Sequence, residues 1–190
     1  DFLTISYSST DYIGHNFGVN SKEIQDTYLR LDLDLARLLT ALDKQVGAGN
    51  YTLFLTSDHG GVDVPSYLKT VKIPSGYFDN NEFEDKLKNF VEEIFHTKDL
   101  IEKLYNYQIF FDYTALREAD IKASDLENAL AHFILQYPQV NNVYTRSQMQ
   151  SATFSEGTSK LVQNGFNQKR SGDVIMVLKP SVISYSITGS

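Results

Sequence analysis

The sequence contains no cysteine, so neither disulfide bonds nor thiolate metal sites can form. No apolar run approaches the roughly 18 residues that a membrane-spanning helix needs. Basic residues are fewer than acidic ones, 17 against 24, and the formal net charge is −7. Because nucleic-acid binding depends on Lys and Arg that neutralise phosphates, this charge argues against nucleic acid as a partner. What remains is an ordinary globular composition, with 42% hydrophobic and 22% charged residues.

The most informative stretch is 51–61, YTLFLTSDHGG. It begins as an apolar run typical of a strand buried on both faces of a parallel sheet, and open α/β sheets bind ligands where such strands end. Asp58 and His59 stand at that end, and Gly60 and Gly61 give the backbone the freedom to turn both side chains toward one centre. This pair predicts a ligand set for Zn²⁺ or Mn²⁺. The alternative is an Asx-turn with a histidine beside it by chance.

A second polar segment of the same kind precedes the first helix. Residues 2–8 (FLTISYS) predict a buried strand, and a polar loop with Asp11 and His15 follows it. A carboxylate and an imidazole at this i, i+4 spacing reach one point if the loop turns helically. A bound metal would also supply the positive charge that an anionic substrate needs in so acidic a chain.

A β-loop-α-β unit is expected to bring the two segments together. Asn20 is a predicted N-cap with Glu23 in capping-box position, and Gly47 and Gly49 end the helix that follows. A right-handed crossover would place the strands at 2–8 and 51–57 parallel, with their carboxyl ends adjacent. Asp and His at two strand ends suggest a two-metal hydrolase, with ions about 3.5–4 Å apart.

The rest of the chain predicts alternating helices and strands. The expected elements are a loop at 64–77, helices at 82–95 and 100–104, a strand at 107–113, a helix capped by Ser124 and stopped by Pro138, a strand at 140–145, a helix at 158–166, and a buried strand at 173–179 that rejoins the main sheet. We therefore expect an α/β/α sandwich with a largely parallel central sheet. Its parts would be the metal-site half of the core (1–65), a small α/β insertion (66–148) and a return to the core sheet (149–190).

Other chemistry-bearing side chains have simpler interpretations. His96 is predicted at a helix end, where it complements the helix dipole, and His132 on the polar face of its helix. Asp63 is predicted to be a turn residue beside Pro65. Asp32 and Asp34 are expected on the solvated face of the first helix.

The motifs resemble those of a known group of enzymes. Residues 9–18 (STDYIGHNFG) and 57–61 (SDHGG), together with 26–32 (DTYLRLD) and 169–173 (KRSGD), are similar to the alkaline phosphatase superfamily. The nearest branch is that of the bacterial alkaline phosphatases related to type I phosphodiesterases and nucleotide pyrophosphatases. The resemblance implies a periplasmic or secreted, zinc-dependent phosphomonoesterase that acts on small phosphate esters. It implies that Asp11 and His15 bind one Zn²⁺ and that Asp58 and His59 bind the other.

The chain also departs from that family. The resemblance implies that the family's Thr or Ser nucleophile, which forms a covalent phospho-enzyme, and a further ligand Asp would lie upstream of Asp1, and that its last ligand His would lie beyond Ser190. The chain opens directly into a predicted strand and closes on another at 183–187, so we expect a fragment cut at both ends. Two protein ligands remain per metal where catalytic zinc usually has about three, which predicts an inactive fragment. A phosphodiesterase or nucleotide pyrophosphatase, and a non-catalytic binding domain, are the alternatives.

Overall fold

The computed structural model describes residues 2–185, which form a mixed α/β protein. Of these, residues 2–76 and 183–185 make one compact unit, and Tyr77–Val182 make a second. The helices are α1 (Ser9–Phe17), α2 (Lys22–Leu42), α3 (Pro65–Thr70), α4 (Asn80–Phe95), α5 (Tyr113–Glu118), α6 (Ala123–Ile134), α7 (Arg146–Ser151) and α8 (Gly157–Gly165). The strands are β1 (Gly76–Phe78), β2 (Ile101–Tyr105), β3 (Gln108–Phe111), β4 (Val140–Thr145), β5 (Val174–Leu178) and β6 (Val182–Ser184). None of the helices described is both long enough and apolar enough to cross a bilayer.

In the first unit, the predicted polar loop after residue 8 is the helix α1. Gly18 ends it at φ 87°, a left-handed conformation that glycine adopts without steric cost. The Gly18 N–H donates to the carbonyl of Gly14 at 2.8 Å and so closes the last turn. The helical turn that the Asp11–His15 spacing required is therefore present.

Helix α2 begins one residue later than predicted. Its N-cap is Ser21, whose hydroxyl accepts from the Ile24 N–H at 3.1 Å, and the predicted cap at Asn20 is wrong. The Asn20 amide is engaged by a distant carboxylate instead, as described below. The predicted end is confirmed: after one π-helical turn, Asp43–Gly47, the chain leaves the helix with Gly47 at φ 99° and Gly49 at φ 78°.

The two strands predicted for this unit, at 2–8 and 51–57, do not form in the described residues. A strand needs a hydrogen-bonded neighbour, and no ladder within 2–185 includes either segment. All of these side chains except that of Tyr51 are exposed, with Phe2 93% and Phe54 90% exposed. Both segments are rich in apolar residues, but an apolar composition does not by itself provide the neighbouring strand that a sheet requires.

The second unit contains a four-stranded antiparallel sheet in the order β2-β3-β5-β4. The strands predicted at 107–113 and 140–145 are confirmed as β3 and β4. The helix predicted at 100–104 is wrong, because that segment is β2, joined to β3 by a tight turn with Asn106 at φ 52° and Tyr107 at φ 61°. Two consecutive left-handed residues are the signature of a hairpin turn rather than of a helix.

The strand predicted at 173–179 forms as β5, and its hydrogen-bonded neighbours among residues 2–185 belong to the second unit. It lies between β3 and β4, so the second unit continues beyond residue 148, to Val182. The assignment of the whole chain to one truncated catalytic domain stays a prediction. Strand β6 covers Ile183 and Ser184 of the predicted last strand, whereas Ser186 and Ile187 lie outside the described residues.

Helices α4 and α6 supply the apolar side chains that cover the sheet. The helix predicted at 82–95 is confirmed, with Asp79 as its N-cap, and the one at 158–166 is confirmed as α8. The cap predicted at Ser124 is wrong, since α6 is already helical at Ala123. The predicted loop at 64–77 contains α3, which begins with Pro65, a residue that fits a first helical turn. The core is formed by Phe78, Phe83, Leu87, Val91, Leu100, Ile109, Phe111, Leu116, Leu126, Leu130, Ile134, Val140, Val174 and Met176.

One buried carboxylate joins three segments of the second unit. Asp173 is 1% exposed and accepts from Arg146 Nε at 2.6 Å, from the Tyr113 hydroxyl at 2.5 Å and from the Phe111 N–H at 2.8 Å. Burial of the phenol, together with its hydrogen bond to Asp173, raises the pKa of Tyr113 to about 12. The rest of the Arg146 guanidinium donates to the carbonyls of Gln168 and Ser171, so the same pair also holds the loop before β5.

Candidate metal centre

Helix α1 places the first predicted ligand pair on one face. Asp11 lies in its first turn and His15 in its last, and His15 Nε2 is 3.4 Å from Asp11 Oδ1. Positions i and i+4 of a helix are neighbours on its surface, which is why this spacing brings the two groups together. The structure thus confirms the geometry that the spacing predicted, on a helix rather than in a loop.

The second predicted pair lies in a bend between α2 and α3. The His59 N–H donates to Asp58 Oδ1 at 3.1 Å, and His59 Nε2 is 3.6 Å from Asp58 Oδ2. The side chains of Asp58 and His59 therefore turn toward each other, as they could not on a regular strand. The acceptor Asp58 and the donor His59 are adjacent residues, whereas an Asx-turn joins the side chain to the N–H two residues on, so this bond is not that of the Asx-turn alternative.

The structure also brings the two pairs toward each other. His59 Nε2 lies 3.9 Å from Asp11 Oδ1, so Asp11 is close to both histidines. Two atoms bound to one tetrahedral Zn²⁺ at about 2.0 Å lie about 3.3 Å apart. The separations within each pair are close to this value. Residues from α1 and from the bend at 58–59 therefore converge on one region of the first unit.

The ring of His59 is oriented by the backbone beside it. Its Nδ1 lies 3.0 Å from the Gly60 carbonyl oxygen, which can only accept, so Nδ1 carries the proton. The Nε2 lone pair is then directed toward the carboxylates, the tautomer that a metal-binding histidine uses. The Gly60 carbonyl, and after it the charges of Asp58 and Asp11, raise the pKa of His59.

The donor set fits zinc in type but not in number. Imidazole nitrogen and carboxylate oxygen are both ordinary zinc ligands. Within residues 2–185, however, no group of three or more His, Cys, Asp or Glu side chains has the arrangement of a metal site. The four side chains are also exposed, from 49% for Asp11 to 90% for Asp58. The geometry is thus that of two incomplete ligand pairs open to solvent.

The remaining candidates lie elsewhere in their elements. His96 is the C-terminal cap of α4 at φ 54°, and His132 is exposed on α6, as predicted. Asp63, interpreted as a turn residue, accepts a hydrogen bond from Asn20 Nδ2 at 2.6 Å. Sequence reasoning missed this contact because the two residues are 43 positions apart and neither belongs to a motif.

Comparison with known proteins shows which family this chain resembles. Residues 1–188 match the model of type I phosphodiesterase / nucleotide pyrophosphatase. Alkaline phosphatase PafA of Elizabethkingia meningoseptica is 37% identical over 191 residues, which cover 100% of this chain and 35% of that protein. A calcium-transporting ATPase of Myroides odoratus is 38% identical over 189 residues, covering 100% of this chain and 34% of that protein.

A solved structure agrees with this match. The crystal structure of wild-type PafA aligns with a TM-score of 0.87 at 36% identity, over 95% of this chain and 34% of that one. The predicted α/β fold class is thereby confirmed. The chain spans about a third of the length of the relatives that it matches. With nearly all of its residues matched by the family model, the chain belongs to the type I phosphodiesterase / nucleotide pyrophosphatase family.

Proposed function

We propose that this chain is part of the catalytic domain of a zinc-dependent phosphomonoesterase of the alkaline phosphatase type. Asp11 and His15 would hold one Zn²⁺, and Asp58 and His59 the other. The substrate would be a small phosphate ester, and the enzyme would act in the periplasm or after secretion. The location and the class of substrate rest on the similarity to alkaline phosphatases and on nothing in the residues themselves.

The observation that carries this proposal is the approach of the two pairs. His59 Nε2 lies 3.9 Å from Asp11 Oδ1, although α1 and the bend at 58–59 are separated along the chain by the whole of α2. Exposed side chains placed at random would not be expected to link two carboxylates and two imidazoles through separations of less than 4 Å. The orientation of the His59 ring by the Gly60 carbonyl adds to the argument, because Nε2 then faces Asp58 and Asp11 and is the ring nitrogen that would bind a cation between them.

Each residue then has a defined task. Asp11 and Asp58 would supply negative charge that compensates a divalent cation, and the two Nε2 atoms would supply neutral donors. Two zinc ions held there would provide the positive charge that a transferring phosphoryl group requires. We place the Thr or Ser nucleophile that forms the covalent phospho-enzyme, and at least one more ligand per metal, outside residues 1–190.

A phosphodiesterase or nucleotide pyrophosphatase is the second candidate, and the description of the matching family model favours it. A binding domain that has lost its chemistry is the third. The four proposed ligands are compatible with all three candidates, because they would bind the metal ions and would not contact the groups attached to phosphorus. The choice between them depends on what the substrate meets outside the four ligands.

The test is to express the full-length protein that carries this chain and to assay an aryl phosphate, a bis-aryl phosphate and ATP. We expect the monoester to be hydrolysed fastest, with activity lost on chelation and restored by Zn²⁺. Asp58→Ala and His59→Ala should each lower kcat/KM at least a hundredfold, the loss typical of removing one group that stabilises transition-state charge. His132→Ala is the matched control, an exposed histidine on α6, and should change kcat/KM little.

The other results separate the candidates. Faster cleavage of the diester or of ATP would favour the second candidate. Full-length protein without activity on any of the three esters, with zinc present, would favour the binding domain. The 190-residue chain by itself should show no turnover, and zinc-dependent turnover by that chain would refute the expectation of an inactive fragment.

A further inference from the structure

Two short segments pack together directly behind the ligand pairs. Residues 18–20 follow α1, which carries Asp11 and His15, and residues 61–64 follow Asp58 and His59. Gly18 is buried, and a Cβ at this position would lie 3.7 Å from Val64 Cγ2. A Cβ at Gly61 would lie only 2.5 Å from Val19 Cγ1. A side chain at residue 61 would therefore require the Val19 side chain to move.

A hydrogen bond joins the same two segments. Asn20 Nδ2 donates to Asp63 Oδ1 at 2.6 Å, a bond to a charged acceptor, which is stronger than one between neutral groups. The alternative is a surface hydrogen bond of no consequence, because both side chains are exposed. The space around Gly18 and Gly61 speaks against that alternative, since Val64 and Val19 of the opposite segment occupy the positions next to these two glycines.

We propose that Asn20 and Asp63 are positioning residues which, with Gly61 packed on Val19, set the distance between the two ligand pairs. This inference rests on the proposed function. Asn20 lies a few residues after the first ligand pair, and Asp63 lies a few residues after the second. The distance between Asn20 and Asp63 therefore controls how closely α1 and the bend at 58–59 approach. Neither Asn20 nor Asp63 touches the metal in this proposal.

The experiment measures Zn²⁺ affinity in the full-length protein by competition with a chromogenic chelator. Asn20→Ala should weaken affinity about tenfold, the lower end of the loss usual when groups that orient ligands are removed. Gly61→Ala should weaken it in the same way, because its Cβ meets Val19. Asn50→Ala is the matched control: its amide donates to the Val46 carbonyl within the same unit, away from both segments.

Two further variants separate positioning from direct ligation and from folding. Asp63→Asn keeps an oxygen that accepts from Asn20 and should retain most of the affinity, whereas a loss as large as that of Asp58→Ala would show that Asp63 binds metal itself and overturn the proposal. The double variant Asn20→Asp with Asp63→Asn reverses the donor and the acceptor of this hydrogen bond. Its Zn²⁺ affinity should therefore be close to that of wild type and higher than that of Asn20→Ala. The urea midpoint of the zinc-free protein should be the same for Asn20→Ala and for Asn50→Ala.

The outcomes distinguish this inference from the proposed function. Wild-type protein that binds no Zn²⁺ would refute both. Wild-type binding that Asn20→Ala and Gly61→Ala leave unchanged would refute the positioning role alone and leave the metal site in place. Failure of the reversed pair to restore affinity would also refute it.

Discussion

Asp173 is a residue whose environment has a measurable consequence. Its carboxylate is 1% exposed and is the shared acceptor for Arg146, Tyr113 and the Phe111 N–H. Removing one partner of a buried ion pair leaves the other as an uncompensated charge, which costs much more than the pair contributes. The effect should therefore be large and specific to this site.

We expect Asp173→Ala to lower the free energy of unfolding by about 3–5 kcal/mol, because the Phe111 N–H and the Tyr113 hydroxyl would lose their acceptor and the half-buried Arg146 its carboxylate. The measurement is urea unfolding followed by circular dichroism. Asp26→Ala is the control, because it removes an Asp–Arg pair of nearly equal length, 2.7 Å, that is exposed on α2. That control should unfold at nearly the same urea concentration as wild type, because exposed ion pairs contribute little to stability. Equal losses of unfolding free energy in the two variants would contradict a special stabilising role for the buried Asp173.

At the scale of single residues, the sequence predicted what local spacing determines. Asp11 and His15 were found by their i, i+4 interval, which a helix turns into proximity. Asp58 and His59 were found as a polar pair after an apolar run. The bond between Asn20 and Asp63 could not be found, because a tertiary contact between two ordinary polar residues leaves no periodic signal. The same contact explains the error at the N-cap of α2, where Ser21 took the role predicted for Asn20.

At the scale of elements, the turn into β5 shows how close packing restricts a position. Gly172 lies beside β3, and a Cβ there would be 2.8 Å from the Ile109 carbonyl oxygen and 2.9 Å from Gln108 Cβ. Its N–H also donates to Gln108 Oε1 at 2.9 Å. The strand and the turn therefore cannot separate to admit a side chain without weakening this hydrogen bond.

We expect Gly172→Ala to destabilise the protein by about 1–3 kcal/mol, the usual cost of overpacking. Gly165→Ala at the end of α8 meets nothing within 4 Å and should be neutral or slightly stabilising, since alanine is the better helix former. Thermal unfolding of both variants beside wild type provides the measurement. A neutral Gly172→Ala would mean that the turn can move away from β3.

Helices and strands with a strong hydrophobic periodicity were predicted well. Segments whose structure depends on a neighbouring strand or turn were not. The long amphipathic helix α4 and the strands β3, β4 and β5 form near the expected residues. The segment of β2 carries no decisive pattern, and it is a strand because Asn106 and Tyr107 turn it back along β3. Helices α5 and α7 have six residues each, too few for a hydrophobic period to show.

At the scale of the whole molecule, the two units differ in how much they bury. The apolar core cluster lies between Phe78 and Met176, within the second unit. In the first unit, the large side chains at 53–55 are 45–90% exposed. This contrast was not predictable, because the sequence of the 51–57 run matches that of a buried strand.

We expect hydrogen exchange to follow this division in the isolated 190-residue chain. Amides of β3, β5 and α6 should exchange slowest, whereas those of residues 52–57 should exchange fastest, because few buried contacts oppose their opening. Mass spectrometry of peptic fragments after timed exchange provides the measurement. Protection of residues 52–57 equal to that of β5 would show that the segment has a hydrogen-bonded partner in solution.

The connections made by Asp173 also bear on the order in which the second unit forms. Its partners Phe111, Tyr113 and Arg146 lie 62, 60 and 27 positions away along the chain, whereas β2 and β3 are joined by a two-residue turn. Contacts that close long loops must first overcome a larger entropy, so the hairpin can assemble before the carboxylate meets its three donors. Loss of the carboxylate should then accelerate unfolding more than it slows folding, because its hydrogen bonds form after the β2–β3 hairpin.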